Sequence, residues 1–142
     1  MRISDVLKYK SADVVTLAPD ATVRDLVAVL GEHNIGAVIV SSDEATVAGI
    51  VSERDVVRRL SSDPDVLDAT VGDIMTAQVQ TAKPEDSVDD LMRIMTEHRI
   101  RHVPVVVDGD LRGIVSIGDV VKSRIGQLEF ERDQLESYVH TQ

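Results

Sequence analysis

The sequence predicts an α/β protein made of two pseudo-symmetric β-α-β-β-α repeats packed sheet to sheet, followed by an extended amphipathic C-terminal helix. Residues 19–35 recur, position by position and at a constant offset, as residues 84–100. The run Gly-Ile-Val-Ser, with an Asp three residues after the Ser, begins at Gly49 and again at Gly113. A unit this short buries too little apolar surface to fold alone, so we expect the two copies to pack against each other.

Composition narrows the classes of function. The 142 residues are 43% hydrophobic but only 2% aromatic, which predicts an aliphatic, β-branched core. The formal net charge of −10 repels nucleic-acid phosphates and anionic lipids, so we expect no nucleic-acid and no membrane partner. The chain contains no cysteine. It shows neither a signal peptide nor an apolar run of membrane-spanning length, which indicates a cytoplasmic protein.

The first repeat is assigned to residues 1–66. Thr22 is predicted to be the N-cap of its first helix, because Asp25 follows three residues later and the next apolar residues recur at helical spacing. The helix is expected to end at a His-Asn pair. The other predicted elements are strands at 14–17, 37–40 and 47–51, and a second helix from Ser52 to the turn residues 61–64.

The second repeat, residues 67–126, is expected to follow the same course. Asp108-Gly109 predicts a tight hairpin turn between its last two strands. Residues 127–142 are predicted to extend the final helix beyond the repeat. An amphipathic extension packs either on its own core or on a second subunit. Its apolar stripe comprises Val121, Ile125, Leu128, Leu135 and Val139.

The repeated Ser-x-x-Asp motif has two interpretations. In the first, Ser52 and Ser116 are each the N-cap of a helix. The negative charges of Asp55 and Asp119 then interact favourably with the positive N-terminal ends of these helices. In the second, a ligand lies at the junction of strand and helix, where free amides attract phosphate. The Asp then accepts charge-assisted hydrogen bonds from the two hydroxyls of a ribose.

The doubled pattern resembles a tandem pair of CBS domains, the Bateman module. The resemblance rests on Gly-Ile-Val-Ser-Glu-Arg-Asp-Val-Val in the first copy and His-x-Ile-x-x-Val-Pro-Val in the second, and it extends from Ile3 to about Ile125. It implies two clefts between the repeats that bind adenosyl ligands, most often AMP, ADP or ATP, and in some members NAD(H) or S-adenosylmethionine. It also implies a homodimer.

The resemblance further implies which residues bind the ligand. Asp55 and Asp119 hold the ribose, while Ser52 and Ser116 contact ribose or phosphate. Adenine is held largely by backbone groups of the extended segment before the first helix and of the strand after it. These residues are Val14, Val15, Thr16, Ala37 and Val38 in the first repeat, and Val79, Gln80, Thr81, His102 and Val103 in the second.

The two copies differ where the family often places phosphate-binding residues. The second copy has Arg101-His102 before Val103-Pro104, whereas the first has Gly36-Ala37. This difference predicts unequal phosphate sites. Two alternatives stay open: a salt bridge at a strand edge for Arg101, and a packed or solvent-facing imidazole for His102. Three further candidates for ligand binding remain. Pro104 lies beside this basic pair, and Arg54 and Lys122 could add positive charge from the starts of helices.

No catalytic or metal site is expected. His98 and His102 have an H-x-x-x-H spacing, but Ile100 and the Val-Pro-Val run indicate that the helix ends between them. Neither serine of the repeated motif lies in a nucleophile elbow, and no glycine-rich loop with a lysine is present. We therefore predict a regulatory nucleotide-binding module, not an enzyme, that signals to a separate effector protein. The alternative is a structural adaptor for dimerisation or protein interaction with degenerate clefts.

Overall fold

The computed structural model of the chain describes residues 1–10 and 14–140. A short helix, α1 (Ile3–Leu7), lies before the first strand of the first repeat. In that repeat β2 (Ala37–Val40) lies between the other two strands, parallel to β1 (Thr16–Leu17) and antiparallel to β3 (Gly49–Ser52). The elements of the repeat are β1 (Thr16–Leu17), α2 (Val23–His33), β2 (Ala37–Val40), β3 (Gly49–Ser52) and α3 (Glu53–Leu60).

A 3-10 turn (Val66–Asp68) and the short helix α4 (Val71–Ile74) connect the repeats. The second repeat pairs its two strands as an antiparallel hairpin. Asp108 and Gly109 have φ angles of 51° and 83° and form its turn, as predicted. The elements of this repeat are α5 (Val88–His98), β4 (His102–Val107), β5 (Asp110–Ser116) and α6 (Ile117–His140).

The first strand expected in the second repeat, at 79–81, is not formed. It is reduced to one parallel bridge between Ala82 and Val105. The Ala82 N–H donates to the Pro104 carbonyl at 3.0 Å, and the Ala82 carbonyl accepts from Val106 at 2.9 Å. Pro84, two residues on, has no N–H to continue the ladder, and the register of β4 shifts between Val105 and Val106.

The capping interactions follow the sequence pattern. Asp25 N donates to Thr22 Oγ1 at 3.1 Å, and Thr22 N donates back to the Asp25 carboxylate at 3.2 Å. Helices α2 and α5 both end at a left-handed residue, Asn34 and Arg99, with φ of 53° and 54°. Each following strand therefore leaves its helix in the same direction, which preserves the pseudo-symmetry.

The two short helices are exchanged between the repeats. Ile3 and Val6 of α1 are buried in the core of the second repeat with Leu91 and Val115. Conversely, α4 packs on the core of the first repeat, where Val71 is fully buried. Each core is thus completed by a short helix that lies before the other repeat in the chain. The predicted boundary between the repeats at residue 66 stays a prediction.

The glycine of each Gly-Ile-Val-Ser run makes room for an exchanged helix. A Cβ on Gly49 would lie 2.5 Å from Sδ of Met75 and 2.8 Å from the carbonyl oxygen of Thr76, at the end of α4. A Cβ on Gly113 would lie 3.1 Å from Cδ2 of Leu7, the last residue of α1. The predicted fold class is confirmed: a mixed α/β chain with two repeats and a long C-terminal helix.

Candidate functional site

A cavity of about 310 Å³ opens between the two repeats. The first repeat contributes the start of β2 and the junction of β3 with α3. The second contributes the end of α5 and the start of β4. The lining residues are Gly36, Ala37, Ile50, Ser52, Glu53, Arg54, Asp55, Arg58, Thr76, His98, Arg99, Ile100, Arg101 and His102.

Asp55 supplies a carboxylate to this cavity from the first turn of α3. One carboxylate oxygen, Oδ2, accepts hydrogen bonds from the backbone N–H of Ser52 at 2.8 Å and from its hydroxyl at 3.1 Å. The other oxygen, Oδ1, accepts no hydrogen bond from a described residue. Ser52 is the N-cap of α3, so capping fixes the position of Asp55 and leaves one acceptor available for a ligand.

Four arginines surround the same cavity: Arg54 and Arg58 from α3, Arg99 and Arg101 from the segment between α5 and β4. None of the four forms an ion pair with another described residue. A cluster of unpaired cations on a chain of net charge −10 is electrostatically suited to an anionic ligand. The predicted alternative of a salt bridge for Arg101 finds no support among the described residues.

His102 lies at the inner wall of the cavity, opposite Gly36. A Cβ on Gly36 would lie 3.5 Å from both the His102 ring and the Glu53 carboxylate, so the glycine lets these two side chains approach. Burial of the imidazole, followed by the positive charge of Lys10, lowers the pKa of His102, although Asp119 and Glu53 oppose the shift. The shift favours the neutral form of the ring.

The second cleft is a separate cavity of about 890 Å³, and its carboxylate, Asp119, has a different partner. Lys10 Nζ donates to Asp119 Oδ2 and to the Ile114 carbonyl oxygen, both at 2.7 Å. Asp119 Oδ2 also accepts from the Ser116 N–H at 2.9 Å. Burial alone would raise the pKa of the Asp119 carboxyl, but the hydrogen bonds from Lys10 and Ser116 bring it below its ordinary value.

The structure brings together only part of the predicted site. Ala37, Ser52, Arg54, Asp55, Arg101 and His102 line the first cleft. The side chains of Val38, Val103 and Pro104 are buried in the core, so only their backbone can meet a ligand. The other predicted residues do not line this cavity: Val14, Val15, Thr16, Val79, Gln80, Thr81, Ser116 and Asp119.

Several residues that line the cavity were not predicted from the sequence. Arg58 follows Arg54 by one helical turn and so lies on the same face of α3, a spacing that would have revealed it. Arg99 lies two residues before Arg101 and is the C-cap of α5, with a left-handed backbone conformation. Thr76 had no sequence signal, because it reaches the cavity only through the packing of α4 against β3.

The described residues offer neither a metal site nor a membrane-spanning helix. No group of three or more His, Asp or Glu side chains is arranged to hold a metal ion. No helix in the described part of the chain is long and apolar enough to cross a membrane.

Comparison with known proteins decides the family. The sequence model of the CBS domain matches residues 3–62 and again 71–126. This chain belongs to the CBS domain family. The mitochondrial CBS domain-containing protein CBSX3 of Arabidopsis thaliana is 40% identical over 146 residues, which cover 96% of this chain and 71% of that protein.

Solved CBS proteins share the fold. A CBS-domain containing protein from Agrobacterium tumefaciens is 42% identical and superposes with a TM-score of 0.84, covering 87% of this chain and 99% of the other. A CBS domain pair in complex with 5′-methylthioadenosine and S-adenosyl-L-methionine is 25% identical. It superposes with a TM-score of 0.79 and covers 89% and 98% of the two chains.

Proposed function

We propose that this CBS pair is a regulatory module that binds an adenine nucleotide in the cleft of Asp55 and passes its occupancy to a separate effector protein. One observation carries the proposal. A carboxylate with an available oxygen lines one cavity between the repeats, together with four arginines that form no ion pair with a described residue. That combination suits a ligand that has both a diol and an anionic group.

The ribose is assigned to Asp55. Its Oδ1 accepts from the ribose hydroxyls while Oδ2 stays bonded to Ser52, so binding does not break the helix cap. A hydrogen bond to a charged acceptor contributes roughly 1.5–3 kcal/mol. By resemblance, adenine is held by backbone groups of Val14, Val15, Thr16, Ala37 and Val38.

The phosphates are assigned to the arginines. Arg54 and Arg58 reach the cavity from the first repeat, Arg99 and Arg101 from the second. This charge favours AMP, ADP, ATP or NAD(H) over S-adenosylmethionine, whose sulfonium is itself a cation. The relative solved with 5′-methylthioadenosine and S-adenosyl-L-methionine supports the adenosyl class of ligand, not the choice within it.

Signalling follows from the position of the cleft. The ligand contacts Asp55 of one repeat and Arg101 of the other, and so favours whichever arrangement of the repeats brings both into contact with it. Its effect on the effector is limited to the difference between its affinities for the two arrangements. We propose that the module acts as a homodimer in the cytoplasm and has no catalytic role.

Thermal denaturation with adenosine, AMP, ADP, ATP, NAD(H) and S-adenosylmethionine tests the proposal. Ligand at one hundred times its Kd adds about 2.7 kcal/mol to the free energy of unfolding, a clear rise in Tm. We expect the phosphate-bearing nucleotides to raise Tm more than adenosine does. Unchanged melting curves with all six compounds would refute nucleotide binding.

The second candidate is a structural adaptor, favoured by the exposed apolar side chains of α6. A truncation after Gly126 separates the two functions. An adaptor loses self-association or partner binding on truncation and shows no Tm shift with nucleotides. A sensor keeps its nucleotide-dependent Tm shift, since the Asp55 cavity contains no residue of α6.

A further inference from the structure

The side chain of His102 borders both clefts. In the antiparallel pair of β4 and β5, His102 is the direct partner of Ser116, and the Cβ atoms of such partners lie about 5 Å apart. Ser116 donates its N–H to Asp119, the carboxylate of the second cleft, at 2.9 Å. On its other side, the imidazole lines the first cleft against Gly36. One titratable ring therefore lies where the two clefts approach each other.

The first repeat has no counterpart of this ring. The position equivalent to His102 is Ala37, which is paired with Ser52 as His102 is paired with Ser116. A methyl group carries no charge and cannot extend from one repeat to the other. The pseudo-symmetry of the chain is thus broken by one imidazole that can respond to charge in either cleft.

Four charged groups face the imidazole. Glu53 of α3 and the neighbouring Arg101 lie at the first cleft, whereas Lys10 and Asp119 of α6 lie at the second. Burial is the largest cause that lowers the pKa of His102. The cations Lys10 and Arg101 lower it further, while the two carboxylates raise it. The charge of the ring therefore depends on groups from both clefts.

We propose that His102 makes phosphate binding in the first cleft depend on pH, and that the Lys10–Asp119 pair of the second cleft sets the pH range of this effect. The first part rests on the proposed nucleotide site. The second part concerns the protein without ligand and does not depend on that site.

The direction of the pH effect follows from charge. An opposite charge within about 4–6 Å favours the charged form of a titratable group, so a bound phosphate raises the pKa of His102. Neither ring nitrogen forms a hydrogen bond with another described residue, which leaves the ring available to a phosphate oxygen. Binding then takes up a proton. By linkage, the affinity for a nucleotide that carries phosphate rises as the pH falls.

Calorimetry of AMP binding at pH 7.5 and pH 6.0, at fixed ionic strength, tests the first part. A phosphate monoester itself titrates at about pH 6, but this contribution is the same for every variant and cancels between them. The ratio of the Kd at pH 7.5 to that at pH 6.0 should be about three- to tenfold larger in the natural protein than in His102→Gln. Adenosine, which has no phosphate, should show no such difference.

His98→Gln is the matched control. His98 is a second imidazole of the same cavity, but its side chain is exposed and its charge is screened by water. This variant should therefore keep the ratio of the natural protein. Loss of the pH dependence in His98→Gln, with its retention in His102→Gln, would assign the proton to the wrong ring and overturn the first part.

NMR titration of the imidazole signals, without ligand, tests the second part. The chain has four histidines, and His102→Gln assigns the His102 signal by its absence. Lys10→Met removes a cation and should raise the midpoint of the His102 titration, whereas Asp119→Asn should lower it. Lys83→Met, in which an exposed lysine that lines neither cavity is lost, should leave the midpoint unchanged.

The outcomes separate this proposal from the nucleotide site itself. If AMP binds but the ratio of Kd values is equal in the natural protein and His102→Gln, the first part is wrong and the nucleotide site stands. If AMP binds at neither pH, the first part and the proposed function both fall. A His102 midpoint that moves with neither Lys10→Met nor Asp119→Asn overturns the second part, whether or not a nucleotide binds.

Discussion

Lys10 Nζ lies 2.7 Å from Asp119 Oδ2, whereas Asp55, the matching residue of the first repeat, accepts hydrogen bonds only from Ser52 among the described residues. The lysine also bonds the Ile114 carbonyl oxygen. Because its ammonium group already engages the Asp119 carboxylate, the two clefts are unequal before any ligand arrives. The protein is thus expected to bind one nucleoside per chain.

Lys10→Met should open the second cleft. Removal of the ammonium group frees Asp119, so the stoichiometry of adenosine binding by isothermal titration calorimetry should rise from one to two per chain. Lys83→Met is the control, since this exposed lysine lines neither cavity and its loss should leave the stoichiometry at one. A stoichiometry of two in the natural chain would show that Lys10 does not block the cleft.

Asp55→Asn should weaken adenosine binding about 10- to 100-fold, the loss expected for charge-assisted hydrogen bonds of roughly 1.5–3 kcal/mol. Asparagine keeps an acceptor for the Ser52 cap, so the helix start is retained. The matched variant Asp119→Asn should leave this site's adenosine affinity unchanged in the same titration. Equal losses in the two variants would contradict the assignment of the ribose to the first cleft.

Arg58→Gln and Arg101→Gln should each weaken AMP binding about tenfold and leave adenosine binding unchanged, because the guanidinium groups meet only the phosphate. Arg93→Gln, in an exposed pair with Asp90 away from the cleft, controls for the general loss of positive charge. Affinities for AMP and adenosine are compared by calorimetry at fixed ionic strength. A parallel loss of adenosine affinity would point to a structural role for the arginine.

His102 should make stability depend on pH. Its pKa is lower in the folded chain than its ordinary value of 6.5, so below that pH the unfolded chain binds a proton more readily than the folded one. The free energy of unfolding should therefore fall from pH 7 to pH 5.5, and less steeply in His102→Gln. Urea denaturation at both pH values measures the difference, and equal slopes would contradict it.

Gly49→Ala should destabilise the fold by about 1–3 kcal/mol, since the new Cβ would meet Met75 and the Thr76 backbone at less than 3 Å. Gly31→Ala is the control: its Cβ would meet nothing within 4 Å, and alanine favours helix α2. Urea denaturation should show opposite signs for the two variants. A neutral Gly49→Ala would mean that α4 shifts to accommodate the methyl group.

The sequence alone determined the repeated architecture, because its local signals are strong. The caps at Thr22 and Ser52 and the Asp108-Gly109 turn depend on residues only a few positions apart. The apolar spacing of α2 likewise predicts the buried face for Val23, Leu26 and Leu30, whereas Val27, expected on the same face, is exposed. These features follow from backbone geometry within one segment, and the structure confirms them.

Only the tertiary structure decided how the two clefts differ. The Ser-x-x-Asp motif is the same in both repeats, so nothing local separates Asp55 from Asp119. The difference comes from Lys10, distant in sequence from Asp119, and from Thr76, which reaches the first cleft through the packing of α4 against β3. Long-range contacts of this kind depend on the exchange of α1 and α4 between the repeats. Neither the spacing of apolar residues nor a helix-capping motif predicts that exchange.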